Sequence, residues 1–372
     1  MDTHKKLRIL SDASQYDLAC ACGTTGLEHR KRGADGTWLY PVTLPAGGHS
    51  IMLKTLLSNV CANDCKYCPC RSTVDLPRCT IAPHEIASLF MDYVRTKNVF
   101  GLFLSSGVVG TPDRTMELLN TAARVLRRKH GFKGYIHLKI IPGASDAAIE
   151  ESLSLATAVS LNIETPGRKH FSLLSTTKDY DRDIIRPLKV ISRLTAPGMK
   201  HSRIKKTTQF IVGASDERDR EIVQYMFGLY DRLKLNRVYF SAYQRGLGVD
   251  IPGEQRAEER PDSRFIREHR LYQADFLLRK YHFSEADILF DSRGNLLLDK
   301  DPKLAWAEKN PGFFPVEVNT AGRYELLRVP GLGPVSVDRI LSLRREQHIR
   351  GNHMLPLKGK LLAQARAYLR FD

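Results

Sequence analysis

Between Ser50 and Gln244 the chain alternates short apolar, β-branched runs with longer stretches whose apolar residues recur every three or four positions. The short runs Ile51–Val60, Phe100–Leu104, Gly134–Ile140, Ala158–Ile163, Thr207–Val212 and Arg237–Ala242 predict buried strands. The longer stretches, Pro83–Thr96, Pro112–His130, Ala144–Leu155, Asp183–Leu194 and Asp216–Lys234, predict helices. Pro83 suits a first helical turn, and Asp216 with Glu217 behind it reads as an N-cap. Strands and helices in strict alternation predict a parallel sheet with helices outside it. No Gly-x-Gly-x-x-Gly turn follows the first strand, which argues against a dinucleotide fold. The unusual polar residues fall just after strand C-termini, as they do on the loops of a barrel, so the expected architecture is an α/β partial barrel.

On either side of this core the pattern changes. Residues 1–49 carry repeated Gly and Pro (Gly23, Gly26, Gly33, Gly36, Pro41, Pro45, Gly47, Gly48) and read as a loop-rich lead-in to the barrel of 50–244. Residues 245–319 read as a connecting region, Gly/Pro-rich at first and then with helices over Ser263–Lys280 and Ser284–Leu289. Residues 320–372 form a last module with a helix, a tight turn and a second helix. No stretch of 18 apolar residues exists and the first residues lack a signal-peptide core, so the expectation is a cytoplasmic protein with no membrane contact.

Lys and Arg outnumber Asp and Glu by 57 to 41, a net +16 that attracts phosphate polymers or acidic surfaces. The seven cysteines speak against a complete set of disulfides, and four of them, Cys61, Cys65, Cys68 and Cys70, crowd together after the first strand. Cys61, Cys65 and Cys68, spaced C-x3-C-x2-C, can wrap one corner of a metal centre; thiolates suit zinc or iron–sulfur. Zinc needs a fourth ligand, for which Cys70, Cys79 or a His could serve, whereas three ligands leave a position open for chemistry. Cys20, Cys22, Cys70 and Cys79 read either as auxiliary ligands or as small buried side chains.

The C-x3-C-x-aromatic-C loop, with Tyr67 as its aromatic, resembles the radical S-adenosylmethionine enzymes. The resemblance implies a [4Fe–4S] cluster on Cys61, Cys65 and Cys68, with S-adenosylmethionine on the fourth iron and cleaved to a 5′-deoxyadenosyl radical. It places Ser105, Ser106 and Gly107, after the second strand, where the family's Gly-Gly-Glu receives the cofactor's ammonium, although the acid is missing. It makes Asn162 and Glu164, which share one face by the period of two, ribose- or ammonium-binding; a solvent-facing rim position is the alternative. The stretch Thr207–Glu217 is similar to the family's Gly-x-Ile-x-Gly-x-x-Glu adenine cradle, with Gln209 for the first Gly, Gly213 for the second and Asp216 in the acid's place. His137 and Lys139 alternate on the third strand and read mainly as structural.

Tyr324–Ile340 reads helix, Pro-Gly-Leu-Gly-Pro turn, helix, and resembles the helix-hairpin-helix of DNA-repair proteins. That resemblance implies phosphate contacts from Arg328, Gly331, Gly333, Ser336 and Arg339, with Val337 where a small residue is usual. From Thr320 onward ten Lys/Arg against four Asp/Glu leave +6. The expected fold class is therefore a partial (βα)6 TIM-type barrel of the radical S-adenosylmethionine class with an α-helical C-terminal helix-hairpin-helix module. Nearly all of the chain, through the lead-in Lys6–Ala13, the barrel, Tyr135–Ala144 and the terminal hairpin, resembles a family of such proteins assigned to DNA modification or repair. That implies DNA, a reducing electron donor and a uracil-DNA-glycosylase-like protein as partners. The same chemistry on tRNA or protein, and a non-enzymatic DNA-binding metalloprotein, are the rival readings.

Overall fold

The computed structural model describes residues 1–14, 31–32, 38–43, 48–255 and 263–372. They form two compact units: Met1–Glu217 with Gly228–Phe265, and Arg218–Phe227 with Ile266–Asp372. Of the residues singled out above, Cys20, Cys22, Pro45 and the glycines at 23, 26, 33, 36 and 47 lie outside the described residues.

The first unit is built on one curled sheet whose eight strands follow chain order. They are β1 (Lys31–Arg32), β2 (Trp38–Thr43), β3 (His49–Leu56), β4 (Val99–Ser105), β5 (Tyr135–Lys139), β6 (Ala158–Ser160), β7 (Lys205–Val212) and β8 (Arg237–Ala242). From β3 to β8 every pairing is parallel, which makes a six-stranded half-barrel. Five crossovers of one kind leave all six strand C-termini at one rim, where loops can carry chemistry.

The lead-in differs from expectation. Residues Thr3–Ser14 form a helix, α1, that buries Leu7, Leu10, Ser11 and Ser14, an i, i+3, i+4, i+7 stripe. β2 then pairs antiparallel with β3, and β1 antiparallel with β2, to extend the sheet. The stripe contains two serines, so its apolar signal is weak in the sequence, but serines at a close helix–sheet contact cost little volume.

The crossover helices are α2 (Pro83–Lys97), α3 (Pro112–Arg124), α4 (Asp146–Leu155), α5 (Arg168–Ser172), α6 (Arg186–Leu194) and α7 (Asp219–Asp231), followed by a short α8 (Pro252–Gln255). Pro83 and Pro112 open their helices as expected, and the Thr111 side chain caps α3. α7 begins three residues later than the sequence suggests, because Asp216 is engaged elsewhere: its Oδ1 lies 2.9 Å from His170 Nδ1. The first strand also ends early, at Leu56; Leu57 stays buried in the following loop, which is why the apolar run continues in the sequence.

The second unit contains most of α9 (Ser263–Lys280), α10 (Pro302–Lys309), α11 (Arg323–Arg328), α12 (Pro334–Glu346) and α13 (Gly359–Ala365), with a parallel pair β9 (Val316–Glu317) and β10 (Leu369–Arg370). Leu326, Leu327, Val329, Leu332, Val337 and Ile340 are its core. The helix expected over Ser284–Leu289 is a single 3-10 turn at Glu285–Asp287. Asp287 caps its start, accepting from Ser284 N and Oγ, and also receives Trp306 Nε1 at 3.0 Å; Ile288, extended at φ −83 and ψ 120, ends it.

Candidate functional site

The cysteine loop lies at the C-terminal end of β3, at the half-barrel rim. Its backbone is fixed to the end of β4, with Gly107 N donating to Ser58 O at 2.7 Å and Ala62 N to Val108 O at 2.9 Å. Val108 N points at Cys61 Sγ, 3.4 Å away. Gly107 is needed here: a Cβ on it would stand 2.4 Å from Val60 O. The expected Ser105-Ser106-Gly107 stretch therefore does lie against the thiol loop, through its backbone.

One arginine shapes the rest of the loop. Arg78 donates to four carbonyl oxygens, those of Asn59, Cys70, Arg71 and Val74. Asp64, between the first two thiols, accepts from Ser175 Oγ (2.6 Å), Thr176 N (2.8 Å) and Thr177 Oγ1 (2.8 Å). Burial works against that carboxylate, yet the hydrogen bonds outweigh it and hold Asp64 far below the usual range.

Cys61 and Cys65 have their thiols pushed up by burial. The Cys68 thiol pairs with that of Cys70, which raises Cys68 and lowers Cys70. Cys79 stands apart, its Sγ 3.7 Å from Lys6 O on α1, and burial raises it. Among the described residues no three His, Cys, Asp or Glu side chains converge on a single-ion centre. A cluster corner, by contrast, asks for three thiols spread around several irons, and C-x3-C-x2-C on one loop meets that demand.

Asn162 and Glu164 are 8% and 6% exposed, so the solvent-facing alternative is excluded. Asn162 Nδ2 donates to Glu164 Oε2 at 3.5 Å. Glu164 has φ +65, and is held there because its N–H donates to Gln209 O (3.0 Å) and its carbonyl accepts from Ile211 N (2.8 Å). Gln209 is itself buried on β7. Tyr67 hydrogen-bonds the Glu164 side chain, and burial first, then neighbouring Cys65, keeps its phenol protonated.

Sequence reasoning missed Lys178. Its ammonium lies 3.3 Å from Tyr67 Oη and packs over the Tyr67 and Phe171 rings at 5.7 and 5.2 Å. Burial would lower it, but Cys65 and Glu164 hold it up. Lys178 is thus the positive centre among a thiol, a carboxylate and a phenol. The Ser175-Thr176-Thr177 run ahead of it, which clamps Asp64, was the available signal.

In the stretch Thr207–Glu217 the two adjacent acids take different partners. Gly213 has φ +87 and donates to Glu217 Oε1 at 2.6 Å, while Asp216 pairs with His170. The acid that closes this turn is Glu217, 1% exposed, and not Asp216.

In the second unit, Val329–Gly333 form the turn between α11 and α12. Gly331 has φ +84, and a Cβ there would meet Leu361 O at 2.5 Å, so packing against α13 already requires glycine. Val337 is fully buried in the core. Gly333 and Ser336 are half-buried and Arg339 is exposed. Arg328 turns inward instead, 3.1 Å from Asp287 and stacked on Phe283 and Trp306 at 3.9 and 4.5 Å.

The sequence matches no protein-family model and no curated protein. Among solved structures it is similar to HydG, a maturase of the [FeFe]-hydrogenase (14% identity, TM-score 0.46, 60% of this chain and 49% of that one). It is also similar to methylornithine synthase PylB (12%, 0.47, 61% and 64%). A third is Streptococcus suis SuiB (12%, 0.43, 66% and 57%). The chain thus spans about half to two thirds of the length of these three. Likeness of this size carries no argument about chemistry; the half-barrel stands on strand order and register.

Proposed function

We propose that this chain is a radical S-adenosylmethionine enzyme that acts on DNA. The observation that carries the reading is the thiol loop: Cys61, Cys65 and Cys68 at the C-terminal end of β3, tied on one side to the β4 end and facing Lys178 and Glu164 on the other. Cys61, Cys65 and Cys68 would hold a [4Fe–4S] cluster, whose chemistry when S-adenosylmethionine is bound is reductive opening of the sulfonium to a 5′-deoxyadenosyl radical, with the electron taken from an external donor.

The chain's own residues do the rest. The backbone of Ser105–Gly107 and the buried Asn162–Glu164 pair offer acceptors for an ammonium and a ribose. Gly213 leaves a bare backbone beside Glu217, open to close approach by a flat ring. Lys178 balances Glu164 and the thiolates, which limits the cost of collecting negative charge in a half-buried site. DNA enters the proposal through the second unit: the Val329–Gly333 turn with Ser336 and Arg339, and the +6 balance of residues 320–372, suit phosphate contact without base reading.

The test is anaerobic reconstitution with iron and sulfide, then a deoxyadenosine assay with dithionite, with and without duplex DNA carrying assorted lesions. The expected result is deoxyadenosine that rises with one DNA and is absent in Cys65→Ala. Deoxyadenosine indifferent to every DNA would remove the DNA half of the proposal. A chain that binds zinc and no iron would remove the enzyme half.

A further inference from the structure

The chain's net +16 is not spread evenly over the half-barrel. In a parallel sheet the segments that lead into strands share one rim, and the segments that leave them share the other. The segments leading into β4 to β8 (97–100, 128–134, 156–157, 195–205 and 232–236) carry no Asp or Glu. Those leaving the strands at the thiol rim carry Asp64, Asp113, Asp146, Glu164 and Asp216. Hydrogen bonds join the acid-free segments into one surface. Arg127 donates to Phe132 O (2.7 Å), Gly134 O (2.8 Å), Leu155 O (2.8 Å) and Thr157 Oγ1 (3.2 Å). Lys205 N donates to Thr157 O at 3.2 Å, and Asn236 N to Lys206 O at 2.9 Å.

Arg128, Lys129, Lys133, Lys200, Arg203 and Lys205 are exposed there, and among the described residues none of their side chains makes a hydrogen bond or ion pair. The acids of the flanking helices are turned to other groups: Asp92 pairs with Arg95, Asp231 lies 3.7 Å from Lys234, and Glu150 lies 4.0 Å from His201. Cations in a helix's last turn answer its dipole, but that hold fades within a turn. Lys133, Lys200, Arg203 and Lys205 lie beyond the helical turn that ends at Lys129 and beyond the end of α6, so the dipole does not account for them. Phe100 adds a ring to this end of the sheet: it is 38% exposed and stacks on Tyr135, with centroids 5.6 Å apart and planes 20° apart. Cations that track a backbone beside an aromatic face are what a single nucleic-acid strand binds. An anionic bilayer asks for a broad apolar face to bury, whereas Phe100 and Met199 are the exposed large apolar residues of these segments.

We infer that the rim of the half-barrel away from the thiols is a nucleic-acid surface in its own right: the backbone of a single strand runs across Lys133, Lys200, Arg203 and Lys205, and one of its bases stacks on Phe100. This goes beyond the reading above, which puts DNA on the second unit and ties it to radical chemistry; the contact inferred here belongs to the first unit and needs no cluster. From β4 to β8 the surface covers four strand spacings, about 19 Å along the sheet, a length over which a strand presents several phosphates.

The test is equilibrium binding by the full chain, without S-adenosylmethionine, over a series of salt concentrations. The probes are a labelled oligothymidylate, a duplex of the same length and phosphatidylserine vesicles. Lys133→Gln, Lys200→Gln and Arg203→Gln made together should weaken oligothymidylate binding more than about tenfold at low salt. They should also flatten the slope of log affinity against log salt by about two, since each lost phosphate contact on a single strand removes about 0.7. Phe100→Leu, which keeps the apolar volume and removes the ring, should weaken the single strand about fivefold or more, spare the duplex, and leave the salt slope alone. Lys5→Gln, Lys189→Gln and Lys309→Gln together remove the same charge from exposed positions elsewhere and should stay within about twofold of the unmutated chain. Equal losses in the two triple variants overturn the inference, because net charge alone would then explain the binding. So does an unmutated chain with no salt-dependent affinity for oligothymidylate, or one that prefers the vesicles. Arg339→Gln reads the second unit's share separately, and a deoxyadenosine assay on the reconstituted chain reads the radical chemistry. Failure of either leaves the losses in the rim variants to be judged by themselves.

Discussion

The carboxylate of Asp64 accepts the hydroxyl of Ser175 at 2.6 Å, joining the cysteine loop to a residue 111 positions further along the chain. The thiol loop is therefore held by a later crossover of the barrel as well as by its own strand. Asp64→Ala should lower iron retained per chain after reconstitution and cost about 1–3 kcal/mol of stability, by leaving Thr176 N–H and the hydroxyls of Ser175, Thr176 and Thr177 short of an acceptor. Because the folded-state value of Asp64 lies below the unfolded one, its contribution is present above about pH 4 and is lost as pH falls further. Acid unfolding of Asp64→Asn beside the unmutated chain checks the sign.

Gly107→Ala places a methyl 2.4 Å from Val60 O, well inside contact distance. The loop must shift, and iron incorporation should fall severalfold while the far-ultraviolet circular dichroism stays unchanged. Normal iron content in this variant would mean that the loop carries the thiols without help from β4.

Lys178→Met removes the cation beside Cys65 and Glu164. A cluster on this loop should then be harder to reduce, seen as a smaller electron-paramagnetic-resonance signal at limiting dithionite, with iron content unchanged. Lys178→Arg should restore most of the signal, since only charge is at issue.

Lys303 is buried, 7% exposed, with its ammonium donating to Leu332 O. Burial, reinforced by Arg328 and opposed by Asp301, brings it down to about 7. An unfolded lysine titrates near about 10.4, so unfolding takes up a proton across the interval between the two values. Stability of the second unit should rise with pH from about 7 to about 10, and Lys303→Met should flatten that slope in denaturant titrations.

Gly331→Ala and Gly333→Ala separate packing from ligand contact in the α11–α12 turn. The first forces a left-handed residue against Leu361 O and should cost more than about 2 kcal/mol. The second meets nothing nearer than Tyr281 Oη at 3.4 Å and should cost well under about 1 kcal/mol.

Much of the first unit is legible in the sequence alone. Alternating apolar runs gave the six parallel strands because strands buried on both faces read as continuous apolar text. The thiol spacing survives folding because it is local, set by one loop, whereas Asn162 and Glu164 lie past the end of β6 and Glu164 is held at φ +65 by its pairing with β7. What escaped was set by tertiary partners. α1 hid because serines fill part of its buried stripe. Lys178, Asp64 and Arg78 are ordinary charged residues until segments far apart in sequence meet. Asp216 and Glu217 are adjacent acids, and only the positive φ of Gly213 decides which of them turns back into the site. Arg328 reads as a free cation in a basic tail, and only Phe283, Trp306 and Asp287 turn it inward.

Arg78 gives the thiol loop a property that the cysteines alone could not. Four carbonyls converging on one guanidinium act as a keystone, so the chain from Asn59 to Val74 is arched without any helix or strand inside it. A loop arched in this way keeps its outline while its thiols are still protonated. Metal loading then becomes a matter of filling a mould already cast, and damage to the metal need not collapse the vessel that would receive a replacement.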